Sequence, residues 1–161
     1  RAPPPAAPPR PKRRPPPLPP GVHDDTAEAA AHLVRAPGVL VIVDGYNAAK
    51  WLWPDLALPD QRDRLVDALA ELEARTGAAI HVVFDGADVA PARTGPRRRV
   101  RVSFSPAGVE ADDVILEMLD GEPVARAVVV ASNDRRVQDG ARDRGAASIS
   151  VPQLASVLRR A

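Results

Sequence analysis

The chain of 161 residues contains no cysteine, which excludes a disulfide frame and any thiolate metal site. Its three histidines, His23, His32 and His81, are scattered. His81 falls inside an apolar run and reads as structural, so neither a Ser/His/Asp triad nor a His-based zinc site has support. No stretch of 18 apolar residues occurs, which excludes a membrane-spanning helix. The ten glycines form neither the G-x-G-x-x-G nor the P-loop spacing, and a nucleotide cofactor is unsupported. Acids are missing from residues 1–20, where 11 of the 19 prolines stand with five basic residues, Arg1, Arg10, Lys12, Arg13 and Arg14.

That local absence changes the meaning of the formal charge of +1. Subtracting the five from 22 basic residues leaves 17 against 21 acids for positions 21–161, a net of −4. The sequence therefore joins a basic, proline-rich tail to a mildly acidic body. Leu18 is the only large apolar side chain of residues 1–20. The tail cannot offset the entropy of ordering itself, and it is expected to be disordered with polyproline II character. Residues 21–161 suit one domain that buries roughly two-thirds of the surface of its unfolded chain. The first residue is Arg and no apolar signal segment follows it, so a piece of a longer cytoplasmic protein is expected. Twenty of the 22 basic residues are Arg, a bias that fits a GC-rich genome and carries no functional weight.

Within the body, residues 21–38 read as an N-terminal helical extension: Asp24 to Arg35 has acids first and Arg last, and Pro37-Gly38 stop it. Val39 to Val43 (VLVIV) is a continuous β-branched run, as in a strand covered on both faces. Residues 45–59 show no clean period and are expected to form a loop with at most a helical turn. Leu65, Val66, Leu69 and Leu72 give an amphipathic helix over 60–76, ended by Gly77. Ile80 to Phe84 is a second buried strand. Over 97–104 (RRRVRVSF) the alternation predicts a half-exposed strand with an arginine face. Helices over 110–119, 135–144 and 152–160 and strands over 127–131 and 147–151 complete an alternating pattern. The expected fold is a three-layer α/β/α domain around a mainly parallel sheet.

Three buried strands end on or just before an aspartate: Asp44, Asp85 and Asp134. Glu110, Asp112 and Asp113 open the helix between two of them. In a parallel sheet such ends lie along one edge, where ligands bind. Up to six carboxylates would meet there. Oxygen ligands without His or Cys select hard ions such as Mg²⁺ or Mn²⁺, which assist phosphodiester hydrolysis. Each acid also has a structural explanation: Asp112 and Asp113 as complements of a helix dipole, Asp134 as an N-cap, Asp44-Gly45 as a turn. Arg93, Arg97, Arg98, Arg99 and Arg101 form the densest positive patch of the body. They serve either to charge an edge strand against aggregation or to contact phosphate beside the acids. Tyr46, Trp51, Trp53 and Phe104 are either core residues or platforms for unpaired bases.

The segments VIVDGYNAAK (41–50), VVFDGAD (82–88), RVSFSPAGVEADDVILEML (101–119) and VVVASNDRRVQDGARDRGA (128–146) resemble the NYN domain of the PIN-like nuclease superfamily, YacP-type, a branch that includes a ribosome-associated endoribonuclease. The E-A-D-D element is also similar to the 5′ nuclease domain of bacterial DNA polymerase I. The resemblance covers about residues 39–155 and implies an RNA phosphodiesterase dependent on Mg²⁺ or Mn²⁺. By it, Asp44, Asp113 and Asp134 are catalytic; Asp44, Asp85, Glu110, Asp112, Asp113 and Asp134 are metal ligands; Asn47 positions Asp44 or a phosphate oxygen. Arg97, Arg99 and Arg101 are expected to hold the RNA backbone. The 5′ nucleases carry another acid two residues after the one matching Asp134, where this chain has Arg136. That difference favours an alternative reading, a non-catalytic RNA-binding module of the ribosome or an RNA-processing assembly.

Overall fold

The structure, a computed structural model, describes residues 1–9, 11–86 and 100–159. Five strands form one sheet: β1 (Leu40–Asp44), β2 (Ala79–Phe84), β3 (Val100–Phe104), β4 (Val128–Ala131) and β5 (Ala147–Ile149). Their order is β3-β2-β1-β4-β5 and every pairing is parallel. The apolar runs read as doubly covered strands are those at the centre. Every residue of β1 and β4 is buried.

Six helices cover the sheet: α1 (Ala27–Leu33), α2 (Gly45–Leu52), α3 (Leu58–Thr76), α4 (Ala111–Gly121), α5 (Arg135–Asp143) and α6 (Val151–Leu158). Strand alternation divides them. Val41 and Val43 pack into one core with Leu33, Tyr46, Ala49, Leu65, Leu69, Leu72 and Leu154 from α1, α2, α3 and α6. Leu40 and Ile42 point the other way, to Ala111, Ile115, Leu119, Val137 and Ala141 of α4 and α5. The three-layer α/β/α arrangement is present. Among the described residues no helix is long and apolar enough to cross a membrane.

Three expectations need comment. Residues 45–52 are a helix and not a loop. The buried face of α2 is made of Gly45, Tyr46, Ala48 and Ala49, small residues that leave little hydrophobic periodicity, while Trp51 faces solvent. The arginine strand is seen only from Val100 onwards, and Arg93, Arg97, Arg98 and Arg99 lie outside the described residues.

The third concerns the tail. Residues 1–9 and 11–19 form no helix or strand, and from Pro11 to Leu18 the chain lies on the body. Its anchor is Arg13, only 6 % exposed. The guanidinium donates to the backbone carbonyls of Leu119 (3.1 Å), Glu122 (3.0 Å), Arg126 (3.2 Å) and Arg144 (3.2 Å). Leu18 packs against the first core. A count of apolar side chains overlooks this kind of docking, because one cation satisfies acceptors that helix ends leave open.

Candidate metal and phosphate site

The chain runs from β1 outward through β2 and β3 and then returns to place β4 on the other side of β1. The carboxyl ends of β1 and β4 therefore flank a topological switch point. An open crevice of about 450 Å³ lies there, lined by Asp44, Tyr46, Asn47, Lys50, Asp85, Glu110, Ala111, Asp112 and Asp134.

Each acid is held by its local fold. Asp44 ends β1 and precedes α2 directly, so its carboxylate sits at the start of a helix. Gly45 makes that abrupt entry feasible: a Cβ there would stand 2.4 Å and 2.6 Å from ring carbons of Phe84 and 2.8 Å from the Val83 carbonyl oxygen. Asp44 is 7 % exposed and accepts a hydrogen bond from the Ser132 hydroxyl at 2.8 Å. Burial first, then the nearby charges of Asp85, Asp134 and Asp112, push its carboxyl up to about 6 against the lowering effect of Ser132.

Ser132 also accepts from the Asp134 backbone N–H at 3.0 Å, and Asp134 caps α5 by accepting from the Arg136 N–H at 2.8 Å. Asp85 accepts from the Ala111 N–H at 2.6 Å and so fixes the first residue of α4 to the end of β2. Asn47 accepts from the Asn133 N–H at 2.8 Å through Oδ1. A backbone N–H can only donate, so this bond settles the amide orientation and leaves the Asn47 NH₂ group as the free donor.

Of the six acids singled out from sequence, five line the crevice. The exception is Asp113, half exposed, whose Oδ1 lies 2.6 Å from Arg136 Nη2. Its neighbour Asp112 turns inward and meets Arg136 Nη1 at 2.5 Å through Oδ2. Glu110 is exposed, and its carboxyl is raised chiefly by the adjacent Asp112 charge. One oxygen each from Glu110, Asp112 and Asp113 lie within 4.8 Å of one another.

Arg101 is not among the crevice residues. It stands on the edge strand beside His81 and lines a different hollow with Glu122 and Arg126, towards the amino ends of the strands. Besides Arg136, which pairs with Asp112 and Asp113, a basic side chain that lines the crevice is Lys50, which sequence reading passed over. It follows Asn47 by three residues on α2, hence shares its face; once 45–59 is taken as a loop, that relation is invisible. Among the aromatics, Tyr46 and Phe104 both pack on Phe84, at ring separations of 4.9 Å and 5.7 Å.

Comparisons with known proteins agree with this fold. Two crystal structures of Rae1 (YacP) from Bacillus subtilis, one of them a tryptophan-to-leucine mutant, align with TM-scores of 0.63 at 29 % and 28 % identity. Each alignment covers 74 % of this chain, with 72 % and 73 % of the Rae1 chains. No curated protein matches the chain. The family model described as YacP-like NYN domain matches residues 41–161, and the chain belongs to that family.

Proposed function

We propose that this domain is a cytoplasmic endoribonuclease that hydrolyses RNA phosphodiester bonds with Mg²⁺ or Mn²⁺. The observation that carries the reading is the convergence of Asp44, Asp85, Asp112 and Asp134 on one crevice that Asn47 and Lys50, side chains suited to a phosphate, also line. The donor set fits a hard divalent ion. All its side-chain ligands are oxygens, and the burial and mutual repulsion that push Asp44 up to about 6 are what a bound cation relieves. Asp44, Asp85 and Asp134 would hold it, with Glu110 and Asp112, the latter already paired with Arg136, beside them. The ion supplies Lewis acidity toward a phosphate oxygen and an activated water.

The chain's own residues orient and attract. Ser132 fixes the Asp44 carboxylate, and Asn133 fixes Asn47 so that its NH₂ group can donate to a phosphate oxygen. Lys50 brings a positive charge to a crevice that would otherwise repel a polyanion. Arg101, on the edge strand, contacts the RNA backbone further from the cleaved bond, and Arg97 and Arg99, outside the described residues, are given the same role. RNA carried by the ribosome is within this substrate class.

The test is cleavage of total cellular RNA and of ribosomes with Mn²⁺, Mg²⁺ or EDTA. Asp44→Asn is expected to lower the metal-dependent rate by at least about 100-fold, beyond the ~10–100-fold typical of residues that only support ligands. Cleavage at the wild-type rate by that variant would refute the assignment. A single-stranded DNA of the same sequence as competitor distinguishes an RNA from a DNA substrate.

A further inference from the structure

The acids at the start of α4 form a carboxylate group distinct from those at the strand ends. The mutual spacing of Glu110, Asp112 and Asp113 suits a hard cation, yet a guanidinium already stands among them. Arg136 Nη1 lies 2.5 Å from Asp112 Oδ2 and 3.8 Å from Glu110 Oε2, and Nη2 lies 2.6 Å from Asp113 Oδ1. Two nitrogens of one planar fork thus each meet a different carboxylate in a short charge-assisted hydrogen bond. The same residue's backbone N–H donates to Asp134. Arg136 therefore touches acids on both sides of the crevice and ties the first turn of α5 to that of α4.

The strand-end acids differ. Among the described residues, Asp44, Asp85 and Asp134 accept from the Ser132 hydroxyl and from the backbone N–H groups of Ala111 and Arg136, all neutral donors. Among those residues their negative charge is oriented and has no side-chain ion pair. A guanidinium stays protonated at any pH a protein survives, so a divalent ion entering the α4 group would have to displace Arg136 and strand its charge.

We infer that Arg136 is the resident cation of the Glu110, Asp112 and Asp113 group, so that the crevice loads one divalent ion, on the strand-end acids, and not two. This rests on the metal-site reading above and adds a stoichiometry and a residue that sets it.

The experiment is Mn²⁺ binding to the full chain at neutral pH, followed by the electron paramagnetic resonance of free Mn²⁺ and by calorimetry, with circular dichroism to verify folding. Wild type should bind one equivalent, and Asp44→Asn should lose it. Arg136→Glu, which replaces the cation with another ligand, should bind two; Arg136→Gln should bind a second ion more weakly than the first; Arg136→Lys should remain at one. Two equivalents on wild type, or one on a folded Arg136→Glu, would overturn the inference. So would an ion lost in Asp113→Asn but kept in Asp44→Asn. No binding to wild type at millimolar Mn²⁺ would remove the metal-site reading together with this one. One ion bound without RNA cleavage would instead sink the nuclease reading alone and leave the stoichiometry standing.

Discussion

Gly145→Ala should release the N-terminal strap. Gly145 has φ +77°, and a Cβ on it would lie 1.9 Å from the Arg13 carbonyl oxygen and 2.6 Å from its carbonyl carbon. These are backbone atoms, so no rotamer change relieves the collision; the segment around Arg13 must lift away. Two costs follow. An alanine held in the left-handed region costs about 1 kcal/mol. Losing the strap forfeits the four Arg13 hydrogen bonds, each worth about 0.5–1.5 kcal/mol net, because both the guanidinium and the carbonyls regain water. Ordering the strap opposes that gain at about 1 kcal/mol per residue, less where proline is already restricted. Four of the eight residues from Pro11 to Leu18 are proline. The strap is therefore worth at most about 2 kcal/mol, and Gly145→Ala should destabilise by about 1–3 kcal/mol.

Urea unfolding of wild type, Arg13→Ala, Gly145→Ala and the double variant checks the reasoning through a cycle. Arg13→Ala should cost up to about 2 kcal/mol. The double variant should be no worse than Gly145→Ala, because the strap can be lost only once. Trypsin, read by mass spectrometry at the Lys12–Arg13 and Arg13–Arg14 bonds, should cut Gly145→Ala faster than wild type. Costs that add across the cycle, or equal cleavage rates, would refute the docking of the strap as the cause.

Other consequences follow from the crevice. The Asp44 carboxyl rises from 3.8 to about 6 on folding, so the native state binds more protons between those values and metal-free stability falls as pH rises through that window, by about 3 kcal/mol at most. Thermal unfolding in EDTA should then show Asp44→Asn more stable than wild type at pH 7 and equal to it near pH 4; an unchanged difference across that range would count against the buried charge. Ser132→Ala removes the donor to Asp44 and the acceptor for the Asp134 N–H, at a cost of about 1–3 kcal/mol, and should move the pH midpoint of Mn²⁺ binding upward; an unmoved midpoint would deny Ser132 its role. Gly45→Ala sets a methyl against Phe84 and the Val83 carbonyl, should cost about 1–3 kcal/mol, and should weaken Mn²⁺ binding as the start of α2 shifts. Wild-type affinity in that variant would show that the close approach is not what places Asp44.

The sheet was legible because its strands are buried on both faces and so appear as unbroken β-branched runs, VLVIV and AVVVA above all. Long helices with large apolar residues were legible for the related reason that Leu65, Val66, Leu69 and Leu72 repeat at helical spacing. α2 was not, since alanine and glycine cover its buried face and hydrophobic periodicity weighs them little. That single loss hid Lys50. The convergence of acids needed only strand ends and a parallel sheet, but whether Asp112 or Asp113 turns inward depends on the phase of α4 and on Arg136. Two adjacent aspartates carry no local signal of it.

The polarity of the sheet connects the acid crevice with the arginine anchor at the other end of the molecule. α2, α4, α5 and α6 start beyond the strands' carboxyl edge, and α4 and α5 end towards the opposite edge, where β4 and β5 begin. At the first edge, positive helix ends favour negative groups: Asp44 precedes α2, Asp85 accepts from the first residue of α4, Asp112 lies in that helix's first turn, and Asp134 caps α5. The charge of these carboxylates is thus partly compensated by the helix ends themselves. At the second edge, the ends of α4 and α5 offer carbonyls to a cation, and Arg13 takes those of Leu119, Glu122 and Arg144. The formal charge of +1 conceals this separation of an acidic edge from a cation-binding one. Because the strap is held at the edge away from the crevice, its release should alter stability and protease sensitivity while leaving the Mn²⁺ affinity of the crevice unchanged.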